Sequence, residues 1–451
     1  MKKIVLLLLT LAVVLSLCAC EKDIPAGNSN PTISSSPSIY QHPVSTPAST
    51  SRPTEPAPTT PPETIEITSR QAFSDNVAWI KYKKGNASYY ALIDWTGHAL
   101  CHFSEQGILP QAFSGGYAFV ENISKSTFYI FGTSGTICSS YQTSYNKKLV
   151  TQDSGYYIIK EEVSGFSSSG YKYVIYNPFG SVLDTVQFER ETAVTACGKG
   201  IFYFKDKGYF CAPGNVWYDP SQLDSQMHAP VTFTDPNADS IIVGYKSTLL
   251  GDQLVALNPH GEVTTQYIRL AYEPDDYHFS SVDSNVCTCR YYMTGELYAF
   301  HFDTGKVYQL DKEYSDKINI DTPPTPRGRY VVISMTGADR LDYIIVTDLT
   351  LKPVFGPMQT TDRIPELGNE LLVFSATGQT NKIVYSATGK KVFSLTDLGY
   401  NNEPRYGLNQ EQAYSCGYLL VWNNKTGATT YLDVAGYELE IFLNCGKPIT
   451  L

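Results

Sequence analysis

Two stretches of this chain bring acidic side chains together in a way that could do chemistry. Asp275 and Asp276, with Glu273 just before them and His278 just after, form the one tight acidic cluster that also holds a histidine. Paired carboxylates of this kind act as general acid and base in bond-cleaving enzymes. Pro274 in the middle of the cluster favours a solvated loop instead. Asp235, Asn237 and Asp239 alternate oxygen ligands in the manner of a calcium loop. The sixth position is Ser240, where the sharp turn needs glycine, and the twelfth is Lys246, where a bidentate glutamate is needed. These three are the nearest approach to a metal site, and an ordinary turn is the preferred reading.

The chain offers little further chemistry. The seven histidines are scattered, with no His-Glu-x-x-His zinc pattern, no Gly-x-Ser-x-Gly elbow and no phosphate-cradling loop. His260 and His301 fall in or beside turns. Beyond Cys20 lie Cys101, Cys138, Cys197, Cys211, Cys287, Cys289, Cys416 and Cys445. The Cys287-Thr288-Cys289 pair shares one face of a strand, too close in sequence for a comfortable bridge, and lacks the second pair a zinc site requires. An exported chain permits disulfides, but mostly unbridged, buried thiols are expected. Neither a catalytic residue nor a cofactor is predicted.

What would position any such residues is a repeated hairpin. Tyr89 to Asp94 is an apolar strand that runs into a tight turn ending on Gly97. The figure returns at Gly135, Gly180, Gly214, Gly261, Gly305, Gly389 and Gly436, with Asp348-Leu349-Thr350-Leu351 filling the gap after Gly305. The mean step is about 42 residues, in the range of propeller blades and solenoid units. Asp or Asn opens many of these turns (Asp94, Asn177, Asn258, Asp303, Asp433), because its side chain can bond the backbone two residues on. About 20 residues before each turn lies a second strand, clearest in Gln71-Ala72-Phe73-Ser74 with Ala78-Trp79-Ile80 and in Gln111-Ala112-Phe113-Ser114 with Ala118-Phe119-Val120.

No stretch shows sustained helical periodicity, so almost no helix is expected. The fold class that follows is all-β: a single closed, propeller-like repeat domain over residues 64–451. Nine hairpin units can be counted. Eight blades are favoured, with the end units sharing one, and seven or nine remain open. Ile65-Glu66-Ile67 is expected to be the lone strand that completes the last blade.

Composition agrees. Of 451 residues, 17% are charged and 13% aromatic, with 34 tyrosines, a balance that suits pleated, half-buried strands. The net charge of -10 argues against nucleic acid as a partner, since phosphate binding needs a basic face. Exposed tyrosines could stack on sugars or grip peptides, although most are expected to pack within strands.

The N-terminus is built differently. Lys2-Lys3 precedes an uncharged apolar run from Ile4 to Leu17, too short to span a membrane comfortably and right for a signal peptide. Leu17-Cys18-Ala19-Cys20 resembles a bacterial lipoprotein lipobox. That resemblance implies a signal peptide over 1–19 and a diacylglyceryl thioether on Cys20, with Cys18 a competing site behind the larger Leu17. Two or three acyl chains, at about 0.8 kcal/mol per buried CH₂, would hold the chain on a membrane. Residues 20–63 form a Ser/Thr/Pro-rich linker, with ten prolines between Glu21 and Pro62. It cannot bury enough surface to order itself, and could reach about 130 Å.

The Phe73-Ser74 strand with Ala78-Trp79-Ile80, followed by Leu92-Ile93-Asp94-x-Thr96-Gly97, resembles the bacterial WG-repeat proteins. The likeness is good in the first two units and reduces to strand and turn pattern in the others. The Trp-Gly dipeptide itself is absent, because Trp79, Trp95, Trp217 and Trp422 are each followed by another residue. The resemblance implies a binding or scaffolding role and brings no catalytic residues. The expectation is therefore a monomeric, surface-anchored, non-enzymatic module for a protein or cell-envelope polymer, on the outer face of the bacterial cytoplasmic membrane. The alternative is a propeller enzyme cleaving glycosidic or peptide bonds through Asp275, Asp276 and His278. A two-lobed solute-binding lipoprotein is disfavoured by the lack of helices.

Overall fold

A computed structural model describes residues 64–164, 169–218, 242–248, 251–258, 260–268, 277–291, 293–315, 317, 323–360, 367–375, 381–401, 414–444 and 446–451. These residues are nearly all β. They form nine antiparallel sheets, one for each hairpin unit counted in the sequence. The first sheet is a simple meander of Ile65–Arg70, Val77–Lys84, Ala87–Asp94 and Ala99–Ser104. The second, third, fourth and sixth also have four strands, and the fifth, seventh, eighth and ninth have three among the described residues.

Local chemistry explains two kinds of turn that recur among the units. The turn between the third and fourth strands is an Asx turn: Asp94 Oδ1 accepts from the amides of Thr96 (2.9 Å) and His98 (3.0 Å). Asn177, Asn258, Asp348 and Asp433 repeat this pair of bonds. The sixth sheet departs from expectation. His301 opens its turn through its carbonyl, which accepts from Gly305 N, and Asp303 lies inside. The turn between the first two strands puts consecutive residues in the left-handed region, as at Asp75 and Asn76, Ser284 and Asn285, or Asn369 and Glu370. Hairpins favour this geometry because its twist matches that of the strands it joins.

Side chains of these first turns reach the next sheet. Asp75 accepts from Gly116 N (2.8 Å), Asp283 from Gly328 N (2.8 Å) and Asn369 from Gly417 N (3.1 Å), while Asp153 accepts from Gly200 N. Between these staples the sheets pack face to face. Trp79 of the first sheet is buried against Phe103, Phe113 and Phe131, and its indole N–H donates to the Gln111 carbonyl at 3.0 Å. The second sheet packs on the third through Phe119, Phe128 and Tyr157. The third packs on the fourth through Tyr173, Ile175, Phe202 and Phe204. Later pairs continue the pattern, sixth on seventh, seventh on eighth and eighth on ninth.

The strand Ile65–Arg70 corrects the expectation. It does not complete the last sheet but pairs with Val77–Lys84 of its own. The last sheet nevertheless meets the first. Phe73, Ile80 and Ala91 share a core with Leu420 and Tyr431, Tyr431 Oη donates to the Gln71 carbonyl, and Cys416 Sγ accepts from Asn76 N at 3.3 Å.

The C-terminal segment then crosses this seam. Glu438 bridges to Leu432 of the ninth sheet, whereas Phe442 and Ile449 bridge in parallel to His98 and Phe103 of the first. His102 Nε2 donates to the Gly446 carbonyl at 2.9 Å, so its Nδ1 accepts from Tyr82 Oη. Leu451 is buried in the core between the first two sheets.

Candidate binding surface

Much of the acid–base and metal chemistry considered above lies outside the described residues: Glu273, Asp275 and Asp276, and likewise Asp235, Asn237 and Asp239. Cys20 and the flanking lipobox lie outside them too. His278 is exposed on the strand Tyr277–Asp283, opposite Arg290. His260 is exposed in an Asx turn, and His301 Nε2 donates to the Leu349 carbonyl at 2.8 Å. Among the described residues, no group of three or more His, Cys, Asp or Glu is placed to hold a metal ion. No helix among them is long and apolar enough to cross a membrane.

No disulfide joins the described cysteines. Cys101, Cys197, Cys211, Cys287 and Cys289 are buried, and the last four share one core with Phe300 and Tyr209. Burial pushes the Cys197 and Cys211 thiols up to about 12, and raises those of Cys287 and Cys289 well above the ordinary thiol range. A thiol held protonated in an apolar core is a packing group and a poor nucleophile.

The tyrosines divide sharply. Tyr82, Tyr157, Tyr173, Tyr209, Tyr414 and Tyr431 are buried. Tyr145 and Tyr437 are open, at 84% and 73% exposure. A four-stranded meander puts its first and third turns at the same end of the sheet. At that end stand Trp95 (58% exposed) in the first sheet, Phe179 (64%) in the third and Tyr437 beside the last turn of the ninth. Tyr145 precedes the first strand of its sheet and lies at the other end.

Trp95 and Tyr437 belong to the seam. The carbonyl of Trp95 accepts from Tyr418 Oη at 2.8 Å, which ties the first sheet's turn to the ninth sheet. A Cβ on Gly97, at φ +84°, would lie 1.9 Å from the Glu440 carbonyl oxygen, so the turn and the segment just after Tyr437 are in direct contact. Behind them Tyr400 Oη and Asn423 Nδ2 donate to one Glu438 oxygen (2.7 and 3.0 Å), and burial followed by that carboxylate pushes the Tyr400 hydroxyl up to about 12. The surface therefore offers two exposed aromatic rings on backbone fixed by hydrogen bonds, with polar groups alongside. Rigid aromatic groups of this kind supply contact area at little entropic cost.

Sequence reasoning named tyrosines as a class and missed Trp95. Its signal was available: it follows Asp94 in an Asx turn, where neither sheet face can cover a side chain.

No family profile matches the chain, and no curated protein does. Solved structures give broad but loose likenesses. BamB from Moraxella catarrhalis shares 14% identity over 72% of this chain and 83% of its own, with a TM-score of 0.25. A eukaryotic initiation factor shares 12% over 74% and 88%, at 0.37. Apo AztD from Citrobacter koseri shares 10% over 72% and 85%, at 0.30. At TM-scores this low the likenesses carry no argument about site or function.

Proposed function

We propose that this chain is a lipid-anchored, non-enzymatic binding or scaffolding module that takes a protein or cell-envelope polymer at the Trp95–Tyr437 surface. The observation that carries the reading is the exposed Trp95, held on a turn fixed by Asp94 and by Tyr418. An exposed indole on a rigid turn is suited to stacking on a sugar face or a peptide side chain.

The architecture behind this reading is a closed, propeller-like ring of about eight blades. It is supported by the order in which neighbouring sheets share cores and by the return of the ninth sheet to the first. The first two units carry the WG-repeat likeness. Anchoring rests on the Leu17-Cys18-Ala19-Cys20 sequence, with residues 20–63 as the tether between lipid and repeats, on the outer face of the bacterial cytoplasmic membrane.

The test uses the purified full-length protein in detergent, with isolated cell walls and envelope proteins of a bacterium offered separately. Saturable binding to one fraction without change in its composition is the expected result. Reproducible cleavage of a glycan or peptide by the protein would overturn the reading.

A further inference from the structure

A cleft of about 360 Å³ opens on the seventh sheet, bounded by Lys317, Met335, Gly337, Asp339, Tyr343 and Pro357. Met335 and Tyr343 are cross-strand partners on Tyr330–Thr336 and Asp342–Asp348, and Pro357 lies on the neighbouring strand Pro353–Gln359. The main chain of Lys317 is held at the other side, because its carbonyl accepts from Thr336 N at 2.8 Å.

The polar groups are few and placed by the turn Gly337–Leu341. Asp339 Oδ1 accepts from Leu341 N (3.2 Å) and Oδ2 from Tyr343 Oη (2.7 Å). The Tyr343 hydroxyl and the Leu341 amide hold the Asp339 carboxyl below the usual range, so it carries its charge at neutral pH. Gly337 makes this arrangement possible: a Cβ there would come 2.5 Å from Asp339 Oδ1 and 2.6 Å from Tyr343 Cε2.

We infer that this cleft binds a small zwitterion of the α-amino-acid type with an apolar side chain. The ligand's ammonium meets Asp339, its carboxylate meets Lys317, and its side chain lies on Met335, Pro357 and the Tyr343 ring. The volume falls within the ordinary range for small-molecule sites, and an apolar wall with a few convergent polar groups is their usual make-up. Asp339 and Lys317 are both exposed at the rim of the cleft, one negative and one positive, and a zwitterion can engage the two together through charge-assisted hydrogen bonds.

Calorimetric titration of the full-length protein with L-phenylalanine, L-leucine, phenethylamine and 3-phenylpropionate tests this. At least one amino acid gives saturable heat, and each single-charge analogue of phenylalanine binds about tenfold more weakly than phenylalanine itself. Asp339→Asn removes the preference over 3-phenylpropionate, and Lys317→Gln removes the preference over phenethylamine. Lys317→Gln alone decides the matter if Asp339→Asn does not fold. Lack of binding by both amino acids, equal affinity for a single-charge analogue, or a preference unchanged in Lys317→Gln would overturn the inference.

Discussion

The ring of Phe442 stacks on that of His98, centroids 4.8 Å apart and planes 21° from parallel. On either side of the stack the backbone pairs, Phe442 N donating to the Gly97 carbonyl (2.8 Å) and Ala99 N to the Phe442 carbonyl (3.0 Å). A segment that starts against the ninth sheet thus bridges in parallel, at Phe442 and Ile449, to the outer edge of the first. An edge strand left open is a template for unwanted pairing, so the segment both fastens the seam and covers that edge.

Gly97→Ala tests the fastening. The added methyl meets the Glu440 carbonyl and must also adopt a positive φ. A loss of about 1–3 kcal/mol is expected by denaturant unfolding. Amide exchange should accelerate at Ala99, Phe442 and Ile449 while the strand Tyr156–Ser164 stays protected. Uniform acceleration would show that the seam is not a local unit.

Trp79→Ala removes the largest buried side chain shared by the first two sheets. It also leaves the Gln111 carbonyl without its indole partner. A cost of about 3–5 kcal/mol is expected, measured as a shift of the urea midpoint. A cost below about 1 kcal/mol would mean that these sheets do not share one core.

Asp153 gives a pH prediction. Burial raises its carboxyl above the ordinary value, outweighing the bonds it accepts from Gly200 and Ser154. The folded state therefore holds this proton more tightly than the unfolded one. The stabilisation is complete below the unfolded value of about 4 and is lost as pH rises through the folded value. Asp153→Asn keeps an oxygen for Gly200 N and carries no charge, so its melting temperature should fall less than the parent's from pH 4 upward. A parallel pH profile in the variant would contradict this.

The thiols should react in order of access. In the reduced native protein, iodoacetamide should modify Cys416 and Cys138 well before Cys101, Cys197, Cys211, Cys287 and Cys289, read by peptide mass spectrometry. Equal rates at Cys416 and Cys287 would place the latter outside a core.

Much of this fold is legible in the sequence because its punctuation is local. The Asp94-x-Thr96-Gly97 pattern specifies a turn through its own side chain and glycine, so the turns could be placed without knowing what they pack on. Burial of Trp79 and Ile80 likewise follows from an apolar run beside a turn. What stayed hidden depends on residues far apart. Nothing near Phe442 announces that it pairs with Gly97 and Ala99, more than 300 positions away. Ile65–Arg70 alternates equally well for a strand of either the first or the last sheet, and only its register with Val77–Lys84 decides. The exposed rings were harder still, because 34 tyrosines share one composition and only packing separates Tyr437 from Tyr431.

The most direct test of the binding surface is a titration of the full-length protein against the envelope fraction it retains, alongside a Trp95→Ala, Tyr437→Ala variant. Both side chains are exposed, so the melting temperature should not change. The account predicts an affinity at least about tenfold weaker, the usual consequence of removing central aromatic anchors. Undiminished binding by a folded double variant would contradict it and place the functional surface elsewhere on the sheets.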